Sequence, residues 1–312
     1  MLPSVLLIAM ACQEFGFNGL GTGDPPDRRV VVEERFVQAP LEGVDVLFVI
    51  DETPSMEQEF DALADSVGAL MAGLDSSGLN WQLGVVGADM IGEDRGLLWG
   101  VPWVITADTP EREELFAEML VTPPVPTQSE AGLAAAILAL ELATDGGANE
   151  GFRRPDAGLQ VVFVSDGDDS SATLHDDPVA AFLERIALEE ASGSWARASA
   201  LVGDVPSGCA SPRGTAQPGT AYVEVAEATG GVVASICHAD FAAVLEALSA
   251  DSVVLPVRFE LAEVPVSDEV QVSVDGVQAT GWELAVDPPA VVFDTPPDAG
   301  VSILVSYTVA TQ

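Results

Sequence analysis

Between Val44 and Ile50 the chain reads Val-Asp-Val-Leu-Phe-Val-Ile, apolar but for Asp45, and then stops at Asp51. An unbroken apolar run of this length predicts a strand covered on both faces, as in a parallel sheet with helices on each side. Past the run, a carboxylate and two hydroxyls alternate at Asp51, Thr53 and Ser55. Open α/β sheets collect ligands just beyond the carboxyl ends of their strands. A second apolar run, Leu159 to Val164, also ends in acid, at Ser165-Asp166-Gly167-Asp168-Asp169. Two buried strands thus deliver hard oxygen donors to the end of a sheet where such folds bind ligands. These donors suit Mg²⁺, Mn²⁺ or Ca²⁺ and not zinc.

The rest of the chain supplies the layers. Phe60, Leu63, Ala64, Val67, Leu70, Met71 and Leu74 recur at three and four, predicting one helix that stops at Asp75-Ser76-Ser77-Gly78. Trp81 to Val86 reads as a strand, and Leu97 to Ile105 as an irregular return. Thr109-Pro110 opens a helix to about Leu120, with Thr109 as its cap. Thr122 to Ser129 is a stiff Pro-rich loop, and Glu130 to Ala143 a helix with an Ala/Leu face. Further helices are predicted at 178–191, 221–228 and 241–248, and strands at 198–202 and 232–236. Strands alternating with helices predict a doubly wound, mainly parallel sheet with helices on both faces. After Ser249 the texture becomes alternating, with turns at Asp275-Gly276, Pro288-Pro289 and Pro296-Pro297. Residues 251–312 read as a small antiparallel β module.

At the start, Leu6-Leu7-Ile8-Ala9-Met10-Ala11 precedes Cys12. The run is too short to span a bilayer. It resembles a bacterial lipobox, which implies that residues 1–11 are a signal peptide and Cys12 the lipidated first residue. No Arg or Lys precedes Cys12, whereas such signals usually begin with basic residues. A plain secretory signal, or an apolar start without meaning, is the alternative. Residues 12–42, rich in Gly, Pro and charge, read as a flexible tether, with Val30 to Val37 available as an edge strand. In an exported protein the two remaining cysteines, Cys209 and Cys237, are expected to pair; two free thiols are the alternative.

Charge excludes some partners. Against 50 acidic residues stand 11 basic ones, all Arg, for a net charge of -39. Nucleic acid and anionic lipid headgroups both demand basic surface, so neither is expected as a partner. The two histidines, His175 and His238, lack neighbours at metal-ligand spacing and read as surface or packing residues. Asp168 and Asp169 read as a solvated acidic loop, or else as holders of a second cation. No Walker-type phosphate loop and no Gly-x-Ser-x-Gly elbow is present.

Strand-Asp51-Glu52-Thr53-Pro54-Ser55, the loop-to-helix start at Ser129-Glu130-Ala131-Gly132, and strand-Asp166-Gly167 together resemble the von Willebrand factor A domain. The resemblance covers about residues 43 to 250. It implies a metal-ion-dependent adhesion site of the pattern Asp-x-Ser-x-Ser, a later Thr and a later Asp. Asp51, Thr53 and Ser55 match the first motif, and Asp166 the later Asp. Ser129 matches the middle Thr by spacing, with Thr127 or the Glu130 carboxylate as alternatives. Thr53 replaces the usual Ser, and Pro54 replaces a small residue and removes a backbone donor. The implied function is a non-enzymatic, divalent-cation-dependent adhesion module at the bacterial cell envelope. It would bind a protein or glycan that supplies a carboxylate, and reach the membrane only through its lipid. The competing readings are a metal-free structural envelope lipoprotein and a metal-dependent hydrolase, which would need a second metal or a general base. No oligomeric state is implied.

Overall fold

A computed structural model of the chain describes residues 28–38, 43–121, 130–191, 194–252, 254–266, 269–298 and 300–311. They form two compact units. One is Leu41–Val254; the other joins the chain before it to Leu255–Gln312. In chain order the elements are β1 (Arg28–Val37), β2 (Gly43–Ile50), α1 (Glu57–Ala64), α2 (Val67–Ser77), β3 (Asn80–Gly87), β4 (Ile105–Thr106), α3 (Arg112–Val121), α4 (Gly132–Leu142), β5 (Ala157–Val164), α5 (Pro178–Ala191), β6 (Ala196–Val202), β7 (Cys209–Ser211), β8 (Gly214–Ala216), α6 (Thr220–Thr229), β9 (Val233–Ser235) and α7 (Phe241–Asp251). They continue as β10 (Arg258–Glu260), β11 (Gln271–Val274), β12 (Val277–Gln278), β13 (Trp282–Val286), β14 (Pro289–Phe293) and β15 (Ser302–Thr311).

The larger unit is built on a six-stranded sheet in the order β4-β3-β2-β5-β6-β9. Only β4 runs antiparallel to its neighbour. The apolar run of β2 lies in the middle, buried along its whole length. Its side chains alternate between two apolar clusters, as the twofold strand period requires. Val44, Val46, Phe48 and Ile50 join residues of α1, α2, α3 and α7. Leu47 and Val49 join residues of α4, α5 and α6. Burial on both sides is why the run carries no polar alternation.

Asp45 is the exception, and the fold surrounds it. Its carboxylate is fully buried and meets Arg153 Nη1 at 2.9 Å and Arg154 Nε at 2.7 Å. The Arg154 backbone N–H donates to it as well, at 2.7 Å. Burial nevertheless pushes its pKa up, with the two guanidinium groups and these hydrogen bonds pulling the other way. Arg153 continues to Glu189 at 2.6 Å, and Arg185 joins the same Glu189.

Two expectations are corrected. The predicted single helix over Phe60–Leu74 is two, α1 and α2. Ser66 Oγ donates back to the Ala62 carbonyl, the kind of local bond that competes with the helix ladder and bends it. Thr109 does not cap α3: its hydroxyl accepts from the Thr106 N–H, and the helix starts at Arg112. The edge strand allowed over Val30–Val37 forms as β1, starting two residues earlier at Arg28 and paired with β15 over its full length. Its Val-rich run has a partner that only the far end of the chain supplies.

The smaller unit holds two antiparallel sheets, β1-β15-β11-β12 and β10-β14-β13. Phe259, Val272, Val291, Phe293, Ile303, Val305 and Tyr307 make its core. Phe259 contacts Phe36 and Phe293 at ring-centroid distances of 5.5 and 5.8 Å. Tyr307 donates its hydroxyl to buried Glu34, whose carboxylate also accepts from the Ala262 N–H. No helix occurs among its described residues, as the sequence texture predicts.

Candidate functional site

Parallel pairing sets the site's frame. Ile50 stands level with Gly87 of β3 and Val164 of β5. Asp51 and Ser165-Asp166 therefore leave the sheet at adjacent strand tips, and the Asp51 N–H still donates to the Val164 carbonyl at 2.9 Å. The Asp51 carboxylate is buried and held at both oxygens. Oδ1 accepts from the Thr53 N–H at 2.9 Å, and Oδ2 from Ser165 Oγ at 2.7 Å. Ser165 is anchored in turn, accepting from the Gly167 N–H at 3.0 Å.

Thr53, Ser55 and Asp166 follow as a chain of contacts. Thr53 Oγ1 and Ser55 Oγ lie 2.9 Å apart, and Ser55 Oγ donates to Asp166 Oδ1 at 3.2 Å. The backbone turn at Thr53-Pro54-Ser55 enters a short 3-10 helix at Pro54–Met56, which brings both hydroxyls to the same side. Ser55 is exposed and Asp166 half-buried, so the cluster opens to solvent on that side. The structure thus brings together Asp51, Thr53, Ser55 and Asp166. Ser129 and Thr127, the candidates for the middle position, lie outside the described residues, as does Cys12. Cys209 and Cys237 are disulfide-bonded, with Cα atoms 6.1 Å apart.

Glu130, which precedes α4, borders the same cluster. Burial, then the charges of Asp51 and Asp166, push its carboxyl up to about 7. Burial and then the Asp51 charge likewise push Asp166 up to about 6, against the Ser55 hydrogen bond. Glu59 on α1 adds to this repulsion. Its buried Oε2 has no hydrogen-bond partner among the described residues. Glu52 was not foreseen at all. Its carboxylate is buried, accepts from the Asp89 N–H at 3.1 Å, and lies where a Cβ on Gly87 would be. Burial, then neighbouring acids, push it up to about 7. The glycine opposite an acid was the only sequence hint.

Asp168 and Asp169 have a different job from the two expected. Asp169 Oδ1 accepts from the Leu133 N–H at 3.0 Å, at the start of α4. Ser171 beside it accepts from the Ala134 N–H. Asp168 Oδ1 accepts from the Ala221 N–H at 3.1 Å, at the start of α6. Both acids satisfy the orphan N–H groups that helix starts expose. Neither is simply a solvated coat. The imidazole of His238 closes a local turn on the Asp240 backbone.

The arrangement can offer a hard cation carboxylate and hydroxyl oxygens. It fits one in a second sense: Asp51, Asp166 and Glu130 form no ion pair with any described Arg or His. The crowded negative charge and the orphaned Glu59 oxygen are what a cation would relieve. Among the described residues there is no group of three or more His, Cys, Asp or Glu arranged as a metal cage. The donor set here leans instead on hydroxyls. No described helix is long and apolar enough to cross a membrane.

No family profile matches the chain, and no curated protein does. Among solved structures it is similar to the pilus adhesin SpaC from Lactobacillus rhamnosus GG in its open conformation. That match has 14% identity and a TM-score of 0.39, over 91% of this chain and 41% of the adhesin. It is also similar to proximal thread matrix protein 1 of the mussel byssus, at 15% identity and a TM-score of 0.41. There the match covers 72% of this chain and 52% of the other. The chain spans about half or less of the length of each.

Proposed function

We propose that the Leu41–Val254 unit is a doubly wound domain of the von Willebrand factor A type that binds a divalent cation and, through it, an acidic group of a protein or glycan partner. The observation that carries this is the convergence of Asp51, Thr53, Ser55 and Asp166 at adjacent strand tips. Asp51 is preset by Thr53 N–H and Ser165 Oγ, so its carboxylate need not reorganise on binding. Thr53 and Ser55 present neutral oxygens, and Asp166 and Glu130 supply charge from the other side. Mg²⁺, or Mn²⁺ or Ca²⁺, held there would supply a Lewis-acidic position able to take a carboxylate from outside. In a chain of net charge -39, basic residues flanking that carboxylate would offset long-range repulsion. The functional reading is non-enzymatic binding at the bacterial cell envelope, with Cys12 as a lipid anchor.

Calorimetric titration of Mg²⁺, Mn²⁺ and Ca²⁺ into the full chain tests the metal. Saturable one-site binding is expected, weakened roughly tenfold or more in Asp166→Asn and in Ser55→Ala, about one charge-assisted contact's worth. Equal heats in the parent and both variants discard the reading. Loss of an incorporated fatty-acid label in Cys12→Ser tests the anchor separately.

A further inference from the structure

We propose that the outer edge of β1 pairs antiparallel with the same edge of a second copy, making a two-fold dimer. An open strand edge presents a row of unpaired backbone N–H and C=O groups, and natural proteins keep such edges short or covered. Most edges here follow that rule. Among the described residues the other edge strands are β4 and β12 with two residues each, β7, β8, β9 and β10 with three each, and β13 with five. β1 has ten, and only β15 pairs with it among the described residues. Its outward residues include Val31 and Val37, 65% and 68% exposed.

Charge argues for a second copy as the occupant. β1 carries three of the chain's 11 basic residues, Arg28, Arg29 and Arg35, against Glu33 and Glu34. It is thus a net positive strand in a chain of net charge -39, a place where two copies meet less repulsion than at an acidic surface. Register then selects itself. Arg29, Val31, Glu33, Arg35 and Val37 are exposed, while Glu34 and Gln38 are buried. Keeping both buried faces on one side of the extended sheet allows only registers that oppose outward residues to outward residues. With Val31 facing Val31 of the other copy, Arg29 faces Glu33 twice, once on each side of the two-fold axis, and Val30 faces Val32. A shift of one strand by two residues opposes Arg29 to Arg35 and Val31 to Glu33, and the reverse shift sets Arg29 against Val31. Opposite charges and β-branched pairs directly across an antiparallel ladder are each favourable, and the two-fold doubles every pair.

Sedimentation equilibrium of the full chain in about 0.15 M salt, near a physiological Debye length, tests this. The expected result is a mass that doubles with concentration. Arg29→Glu and Glu33→Arg should each raise the dissociation constant by roughly tenfold or more, and the two together should restore it to within about threefold. Both side chains are exposed, so an unchanged circular-dichroism melt in each variant shows that the strand itself persists. A monomer at every concentration overturns the proposal. So does a dimer insensitive to both single reversals, or one that the double reversal fails to restore.

Discussion

Asp45 and Asp166 show how one residue type does opposite work at the two ends of the sheet. Asp45 is buried with two guanidinium partners, and removing it leaves Arg154 with no carboxylate partner among the described residues and Arg153 with Glu189 alone. Asp45→Ala should therefore cost about 3–5 kcal/mol in denaturant unfolding, the scale for breaking a buried pair from one side. Asp166, Glu130 and Glu52 sit among acids instead, and hold their protons to about 6, 7 and 7. Their native pKa values lie above the ordinary carboxylate range, so folding takes up protons. The stability they contribute is complete below about pH 4 and is lost as pH rises through 6 to 7. Metal-free protein should melt higher at pH 5.5 than at pH 8, and Asp166→Asn should flatten that difference. Cation binding runs the other way, since the ligands must be deprotonated, so affinity should fall as pH drops through the same window. Calorimetry at both pH values, with scanning in chelator, reads both.

At the scale of elements, the acidic loop after β5 couples the site to two helices. Asp169 and Ser171 take the first N–H groups of α4, and Asp168 takes one from α6. Asp169→Ala should cost about 1–2 kcal/mol by loss of a helix-start acceptor, with the denaturant slope unchanged. A solvated acid would cost almost nothing. Gly167, next to Asp166, leaves room for the Glu130 carboxylate. Gly167→Ala should therefore push Glu130 aside and weaken cation binding without unfolding the domain, as comparison of the titration with the melt would show.

At the scale of the whole molecule, the covalent cross-link among the described residues is the Cys209–Cys237 disulfide, which closes a 28-residue separation around α6. Reduction should lower stability by about 3–4 kcal/mol on the chain-entropy account, measurable as a shift in urea midpoint with and without reductant. The parallel sheet was legible because its strands are buried on both faces and so carry continuous apolar runs. The oxygen cluster at the strand tips was legible because those runs end abruptly in carboxylates and hydroxyls. Glu52, Glu59 and the capping role of Asp168 and Asp169 were not, since an acid in a loop looks the same whether it faces water, a neighbour or a helix start.

Local chemistry by itself determined where strands begin and end and which oxygens leave their tips, because burial on two faces and a polar stop are properties of consecutive residues. Tertiary structure alone decided what stands beside those residues. It placed Ser165 against Asp51, Arg153 and Arg154 around Asp45, and Thr311 to Ser302 along the whole of β1. Each of those partners is more than a hundred residues away in sequence. No period or propensity within a segment encodes which distant segment will meet it; that follows only from packing the layers together.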